Sequence, residues 1–564
     1  MARPRGKSTS PVKEGRQPTV MTYVDGLGTI STKLRNRLRR FYDALVLLSS
    51  LIEACKVNGQ TRANNEGYEP SDNPNIVLEC FINKLAQVCD NVPFGDTVTA
   101  LAITIRNYDG LLYTFAYNRQ TVGDPNKATN FVRRLLNDTG TATLDQVKDD
   151  PHSPLFQRAL QQILEFHDKR ILAYRDKLMK SVVACIVDCN ANNSHESLSL
   201  ENALRDLKET LTAHKSRDGN NCSVTENANL VHAAATLRAS PVYDNIIERT
   251  RAGRMNESER WCDLSHFVGR LASYLGMVRA IIIARRRIPE LFEKFNIVFL
   301  PSSNPLPNPI TCLQPSTMTA AKRRSLRTAK AIIGRIVWEP AELAKYQGYA
   351  EELQRCGLDD LIFKQCARES FHPIVHCEIL VLDWLCGQHP SGTTSIPFFR
   401  DFRYIGCSKP TCRLCEYYFA AHRSGIQVRR GHKNVYLNWI VPNVTDESPD
   451  WAKEKDSLID KVLGGVRRDA LSALEEKVTD HKRWDSDTFS YQQTFQSLAS
   501  TSVRGTDLAS VMSLLSIAEG GPSCRSQISV IVDDDSWSVA GHADQEAEDS
   551  DDDGGALLFS GRRR

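Results

Sequence analysis

The chain lacks a long apolar run, an excess of one charge and a repeat of fixed period. No uncharged apolar stretch approaches the ~18–20 residues that span a bilayer. The longest candidate, near 265–284, contains Arg270 and Arg279. That removes the multispanning membrane class. No apolar h-region follows the basic, polar start MARPRGKSTSPVKEGRQ, so no secretory signal is expected and the chain reads as intracellular, with no membrane partner. Lys plus Arg number 71 against 68 Asp plus Glu, a formal charge of +3, so bulk charge makes no case for nucleic-acid binding. The missing repeat excludes a solenoid. What remains is ordinary for a globular chain: 41% hydrophobic and 25% charged residues over 564 positions, too many for one common domain.

Cysteine is plentiful but uneven. Of sixteen, seven (Cys356, Cys366, Cys377, Cys386, Cys407, Cys412 and Cys415) fall within 60 residues. In an intracellular chain these read as thiols or metal ligands rather than disulfides. The composition divides the rest. Residues 1–20 form a disordered basic tail and 21–300 a mostly helical domain of unknown role. Within it KLRNRLRR (33–40) is basic, and its plain reading is the solvated face of a helix. Ser153-Pro154 opens another helix in the preferred order. Cys185 and Cys189 share a helix face and read as core. Residues 301–320, with five prolines, form a linker. An α/β segment occupies 321–445. A helical extension follows at 446–485, interrupted at Gly464-Gly465. The stretch 486–564 is a disordered acidic tail.

The chemistry lies in 371–442. Pro373 ends what precedes it, and His376–Leu385 is a nearly all-apolar helix with His376 and Glu378 at its start. FRDFRYIGC (399–407) suggests a strand and Cys412–Ala421 a second helix, closed by Gly425. NVYLNWIVP (434–442) suggests a second strand. His376, Cys412 and Cys415 make a Cys2His set with an open fourth position, a zinc arrangement that leaves room for water. Two cysteines three apart at a helix N-terminus aim at one point, and the dipole favours thiolates. Glu378, two residues from the histidine, is placed to take a proton from that water and return it to a leaving amine.

His-x-Glu followed by Cys-x-x-Cys is the zinc-deaminase signature. The stretch resembles the cytidine-deaminase-like superfamily, and more narrowly its fungal nucleic-acid/nucleotide deaminase branch. The matching residues are His376-Cys377-Glu378, then Ile405-Gly406-Cys407-Ser408-Lys409-Pro410-Thr411-Cys412-Arg413-Leu414-Cys415, then His432, Tyr436, Trp439 and Pro442. One position departs: Thr411 stands where the signature has proline. The resemblance covers about 70 residues and implies a three-layer α/β/α domain. It also implies a Zn2+ cofactor and hydrolytic deamination of a nucleobase in a nucleotide or nucleic acid, with Glu378 moving protons. The family's first elements belong upstream, where AIIGRIVW (331–338) and LIFKQC (361–366) are the candidate strands.

Other residues admit two readings. Ser408, Lys409 and His432 contact substrate or hold a loop. Arg429, Arg430, His432 and Lys433 form a basic cluster that meets phosphate or is simply solvated. Tyr417 and Tyr418 stack on a base or fill the core. Cys407 or His422 in the fourth position would close the zinc site and leave a non-catalytic interaction protein. In the acidic tail, Ile528, Val530, Ile531 and Val532 followed by aspartates resemble a SUMO-interacting motif, which adds a strand to a SUMO-like partner's sheet edge.

Overall fold

In a computed structural model, residues 21–480 are described, apart from 25, 58–60, 63–74, 107–108, 120–124, 192–194, 215–222, 252–254, 315–317, 390–395 and 447. The expected basic and acidic tails and the Ile528, Val530, Ile531, Val532 motif lie outside the described residues.

In chain order, helix α1 is Thr32–Val57 and α2 is Ile76–Cys89. Strands β1 (Thr99–Arg106) and β2 (Gly110–Tyr117) follow. Among the helices that follow β2 are α3 (Asp168–Ala191), α4 (Val224–Ala239) and α5 (Met255–Arg287). Then come β3 (Phe295–Leu300), α6 (Cys377–Gln388), β4 (Tyr404–Cys407) and α7 (Arg413–Ala421). β5 (Gln427–Val428) and α8 (Pro449–Glu476) lie beyond them.

The chain is mostly helical around one mixed five-stranded sheet, ordered β3-β2-β1-β4-β5. β1 is antiparallel to both β2 and β4, whereas β3 runs parallel to β2 and β5 parallel to β4. Side chains alternate across a strand, and the two faces have different sizes. Ala100, Ala102 and Ala116 face the core that holds α1, α6, α7 and α8. Leu101, Ile103, Phe115 and Tyr117 face the core of α2 to α5. Small residues on the first face let α6 lie close over β1 and β2. Gly406 serves the same end on the second face. A Cβ there would sit 2.6 Å from Ile82 Cγ2 and 2.7 Å from Asn83 Oδ1, so only glycine lets β4 meet α2. Asn83 then accepts from the Cys407 amide at 3.0 Å.

Several expected elements are corrected. Residues 331–338 and 361–366 are not strands; 331–336 and 361–366 lie in helices Ala329–Ile336 and Leu358–Ala367. Buried Ala329, Ile332, Ile333 and Ile336 follow a helical period, and the Thr328 side chain caps the first turn by accepting from Ala331 N–H. The central strands come instead from 99–117, inside the stretch expected to be mostly helical. NVYLNWIVP forms only a single bridge, Ile374 to Trp439. Its partner segment begins at Pro373, which has no N–H, and passes into α6 four residues later. α7 ends at Ala421 with His422 extended, ahead of Gly425. α8 runs unbroken through Gly464-Gly465. Ser153 does cap the helix that Pro154 opens.

The basic run at 33–40 is not simply solvated. Arg37 spans Asp456 (2.5 Å) and makes a paired contact with Asp460 (2.9 and 3.0 Å), tying α1 to α8. The proline-rich connection is fastened too: Leu306 N–H donates to Pro373 O at 2.8 Å, and Ser303 Oγ accepts from Val375 N–H at 2.8 Å. Among the described residues, one helical stretch, Ser258–Arg287, is long and apolar enough by composition to cross a membrane, and 67% of its apolar window is buried inside the protein.

Candidate metal centre

Two helix starts build the site. His376 stands at the N-cap position of α6 and Cys412 at that of α7, each with extended backbone. Cys412 Sγ accepts from Cys415 N–H at 3.5 Å, which folds the Cys-x-x-Cys turn so that both sulfurs face one way. The His376 Nδ1 lies 3.4 Å from Cys412 Sγ and 3.4 Å from Cys415 Sγ. A tetrahedral zinc with bonds of about 2.3 Å to sulfur and about 2.05 Å to nitrogen sets an S–N edge of about 3.6 Å. The three donors therefore stand at the spacing such an ion requires, and all three are buried.

Outer groups hold them. Trp439 Nε1–H donates to Cys415 Sγ at 3.4 Å, and the His376 ring also hydrogen-bonds the Asn438 backbone. Asn118 Oδ1 accepts from Cys377 N–H at 2.9 Å, fixing the first turn of α6 to the end of β2. Sequence reasoning missed Asn118; the available signal was a polar residue directly after the apolar run LLYTFAY. Thr411, in the place of the signature's proline, is buried. Its carbonyl accepts from His432 N–H at 3.1 Å, and Arg413 N–H donates to Asn434 O at 3.0 Å. Residues 431–434 thus brace the turn without the proline.

The electrostatics are those of a compact ion pair. Burial pushes the Cys412 thiol up. The hydrogen bond from Cys415 and the charge of His376 outweigh it and hold Cys412 well below the usual thiol range. Cys415 goes the other way, raised by burial and by its neighbour Cys412. Burial pulls His376 down, but Cys412 and Glu378 more than restore it, leaving it above the ordinary imidazole value. Glu378 is held above the usual carboxylate value by burial, with Cys412 adding and His376 opposing. The low-dielectric surroundings therefore favour its protonated form more than water does.

The remaining candidates fall elsewhere. Cys407 does not join the three donors; it groups with Cys377 and Glu378. His422 stacks on Tyr418 at 5.7 Å and accepts from Ser424 N–H. Ser408 continues the sheet: its N–H donates to Thr99 O at 2.8 Å, and its Oγ accepts from Thr99 N–H at 3.1 Å. Lys409 is buried with its ammonium beside Gly95. His432 is buried and its ring meets Tyr436 at 5.8 Å, while Tyr436 lies 6.3 Å from the His376 ring. Arg429 is buried too, donating to the carbonyls of Cys407 and Ser408 at 3.0 Å each, so it braces the loop before Cys412. Tyr417 donates to Asp469 on α8 and Tyr418 fills the core. Cys185 and Cys189 are buried.

A family model of deaminase-like domains, OTT_1508_deam, matches residues 375–443, the stretch that contains all three donors, Glu378 and Trp439. No curated protein and no solved structure matches the chain. The match places a deaminase-like domain at 375–443 and agrees with the motif resemblance at that level.

Proposed function

We propose that the chain is a zinc-dependent hydrolytic deaminase of the cytidine-deaminase-like superfamily, acting on a nucleobase in a nucleotide or nucleic acid. The observation that carries this is the meeting of His376, Cys412 and Cys415 at zinc spacing, with the buried carboxyl of Glu378 two residues from the histidine. Zinc held there would act as a Lewis acid and bring the pKa of a water toward neutrality. The protein's own part is proton traffic. The reaction exchanges an exocyclic amine for oxygen: water adds to the amine-bearing carbon, the C–N bond breaks, and ammonia leaves. Glu378 accepts the water's proton and returns it to the departing nitrogen, ending in its starting state. Trp439 and the Asn438 backbone keep the ligands oriented while this occurs.

The test separates fold, metal and chemistry. Cys412→Ala with Cys415→Ala should lose zinc. Glu378→Gln should keep zinc and the native circular-dichroism spectrum but lose ammonia release by at least a hundredfold. Nucleosides, single-stranded DNA and RNA form the substrate panel. Ammonia release that survives Glu378→Gln rejects the assigned mechanism. Zinc retained without turnover on any substrate leaves the site a structural one.

A further inference from the structure

The variable positions of both metal motifs carry cysteine: Cys377 between His376 and Glu378, and Cys407 between Gly406 and Ser408. The fold brings them together. Register pairs Cys407 with Ala100, and its side chain points to the face of the sheet on which α6 lies. Cys377 is the first residue of α6, so its side chain and that of Cys407 meet under the helix start. Cys377 Sγ lies 3.4 Å from Glu378 Oε2. The donor atoms of Cys377, Glu378 and Cys407 all fall within 4.8 Å of one another, and all three residues are buried. A tetrahedral divalent ion with bonds of about 2.3 Å to sulfur and about 2.1 Å to oxygen sets an S–O edge of about 3.6 Å. The Cys377–Glu378 edge of 3.4 Å is close to that spacing, as are the two His376–sulfur edges of the first group.

We infer that Cys377, Cys407 and Glu378 form a second, inhibitory site for a thiophilic divalent metal, adjacent to the Cys2His site. Soft sulfur donors select zinc or cadmium over magnesium or calcium. Charge permits both sites to fill: four thiolates and one carboxylate carry five negative charges against four positive ones on two ions. Occupancy takes the carboxylate oxygen of Glu378, which then cannot accept a proton. Excess metal thus switches off the activity that the first ion supports. The inhibitory arm rests on the deaminase reading; the binding arm does not.

The experiment is a Cd2+ titration of the full-length, metal-free chain under reducing conditions, read by stoichiometry and by thiolate-to-cadmium charge-transfer absorbance. The native chain should bind one equivalent more than Cys407→Ala and one more than Cys377→Ala. The Cys412→Ala, Cys415→Ala double variant should retain that additional equivalent. Comparing variants cancels cadmium taken up by the other cysteines. Both single variants keep the backbone hydrogen bonds to Asn83 and Asn118, and two independent variants guard against one misfolding. In turnover, zinc beyond the first equivalent should suppress ammonia release at least tenfold in the native chain and much less in Cys407→Ala. Equal stoichiometry and absorbance in native and both folded single variants overturns the site. A native chain inactive at one equivalent overturns the deaminase reading, and the titration still decides the second site.

Discussion

Two adjacent glycines in α8 should respond oppositely to the same substitution. Gly to Ala in a helix interior gains about 0.5–1 kcal/mol from propensity. At Gly464 the nearest atom to an added Cβ is Arg468 Nη1 at 3.8 Å, an ordinary contact on a flexible side chain. Gly464→Ala should therefore stabilise by about that amount. At Gly465 the added Cβ would lie 2.6 Å from both Tyr417 Cδ2 and Cε2, about 1 Å inside normal carbon contact. Tyr417 cannot easily yield, because its hydroxyl donates to Asp469 on α8 itself at 2.5 Å. Overpacking costs about 1–3 kcal/mol, so Gly465→Ala should be net destabilising by roughly 0.5–2 kcal/mol. Urea denaturation of the full-length chain reads both. In a Tyr417→Ala background the Gly465→Ala penalty should vanish, because the clash has been removed. Since Tyr417 rides on α7 with Cys415, Gly465→Ala should also weaken metal retention, whereas Gly464→Ala should not. Shifts of the same sign and size for the two glycines would falsify the close-approach argument.

Two further outcomes follow from buried polar groups. His167 is buried with Nε2 2.8 Å from Val88 O and Nδ1 3.1 Å from Tyr274 Oη, a fully satisfied neutral ring; burial lowers its pKa to about 4. The unfolded chain, near the ordinary 6.5, binds that proton first, so stability is full above pH 6.5 and is lost as pH falls toward 4. The gap is worth roughly 3 kcal/mol, and urea midpoints at pH 7 and pH 4.5 should show a larger loss in the native chain than in His167→Gln. Trp439→Phe removes the N–H donated to Cys415 Sγ and should weaken zinc about 10- to 100-fold in chelator competition. Unchanged affinity there means that the indole only fills space.

The meeting of the candidate metal ligands was legible because each half of the cluster is local. His376 with Glu378, and Cys412 with Cys415, are each set by one helix start, and helix geometry fixes where such side chains point. The sheet was not legible, because its pairing is remote. Thr99 and Ser408 meet across 309 positions. The strands themselves carry β composition (TALAITIR and GLLYTFAY), with Asp109-Gly110 as a turn signal, but helical periodicity on both sides hid them. AIIGRIVW misled in the reverse sense. Its β-branched residues suggest a strand, but the burial of Ile332, Ile333 and Ile336 and the Thr328 cap decide for helix. Gly464-Gly465 read as a break because glycine commonly ends helices, whereas here it admits the ring of Tyr417.

The remote pairing bears on how small a piece of the chain can carry the chemistry. A fragment beginning at residue 321 keeps His376, Glu378, Cys412 and Cys415. It loses β1, β2 and β3, leaving only β4 and β5 of the sheet. Without β1, Ser408 loses both of its hydrogen bonds to Thr99, one of which sets the strand immediately before Cys412. Without Asn83, the Cys407 amide loses its acceptor, and without Asn118 the start of α6 loses its tether. A two-stranded remnant is marginal in water at best, and the apolar face of α6 would be left uncovered. The fragment 321–480 should therefore be insoluble or non-cooperative in thermal unfolding, and should bind zinc far more weakly than the full chain. A soluble fragment that melts cooperatively and holds zinc as tightly as the whole protein would show that the donor geometry is set by the two helix starts alone, and that the sheet only carries them.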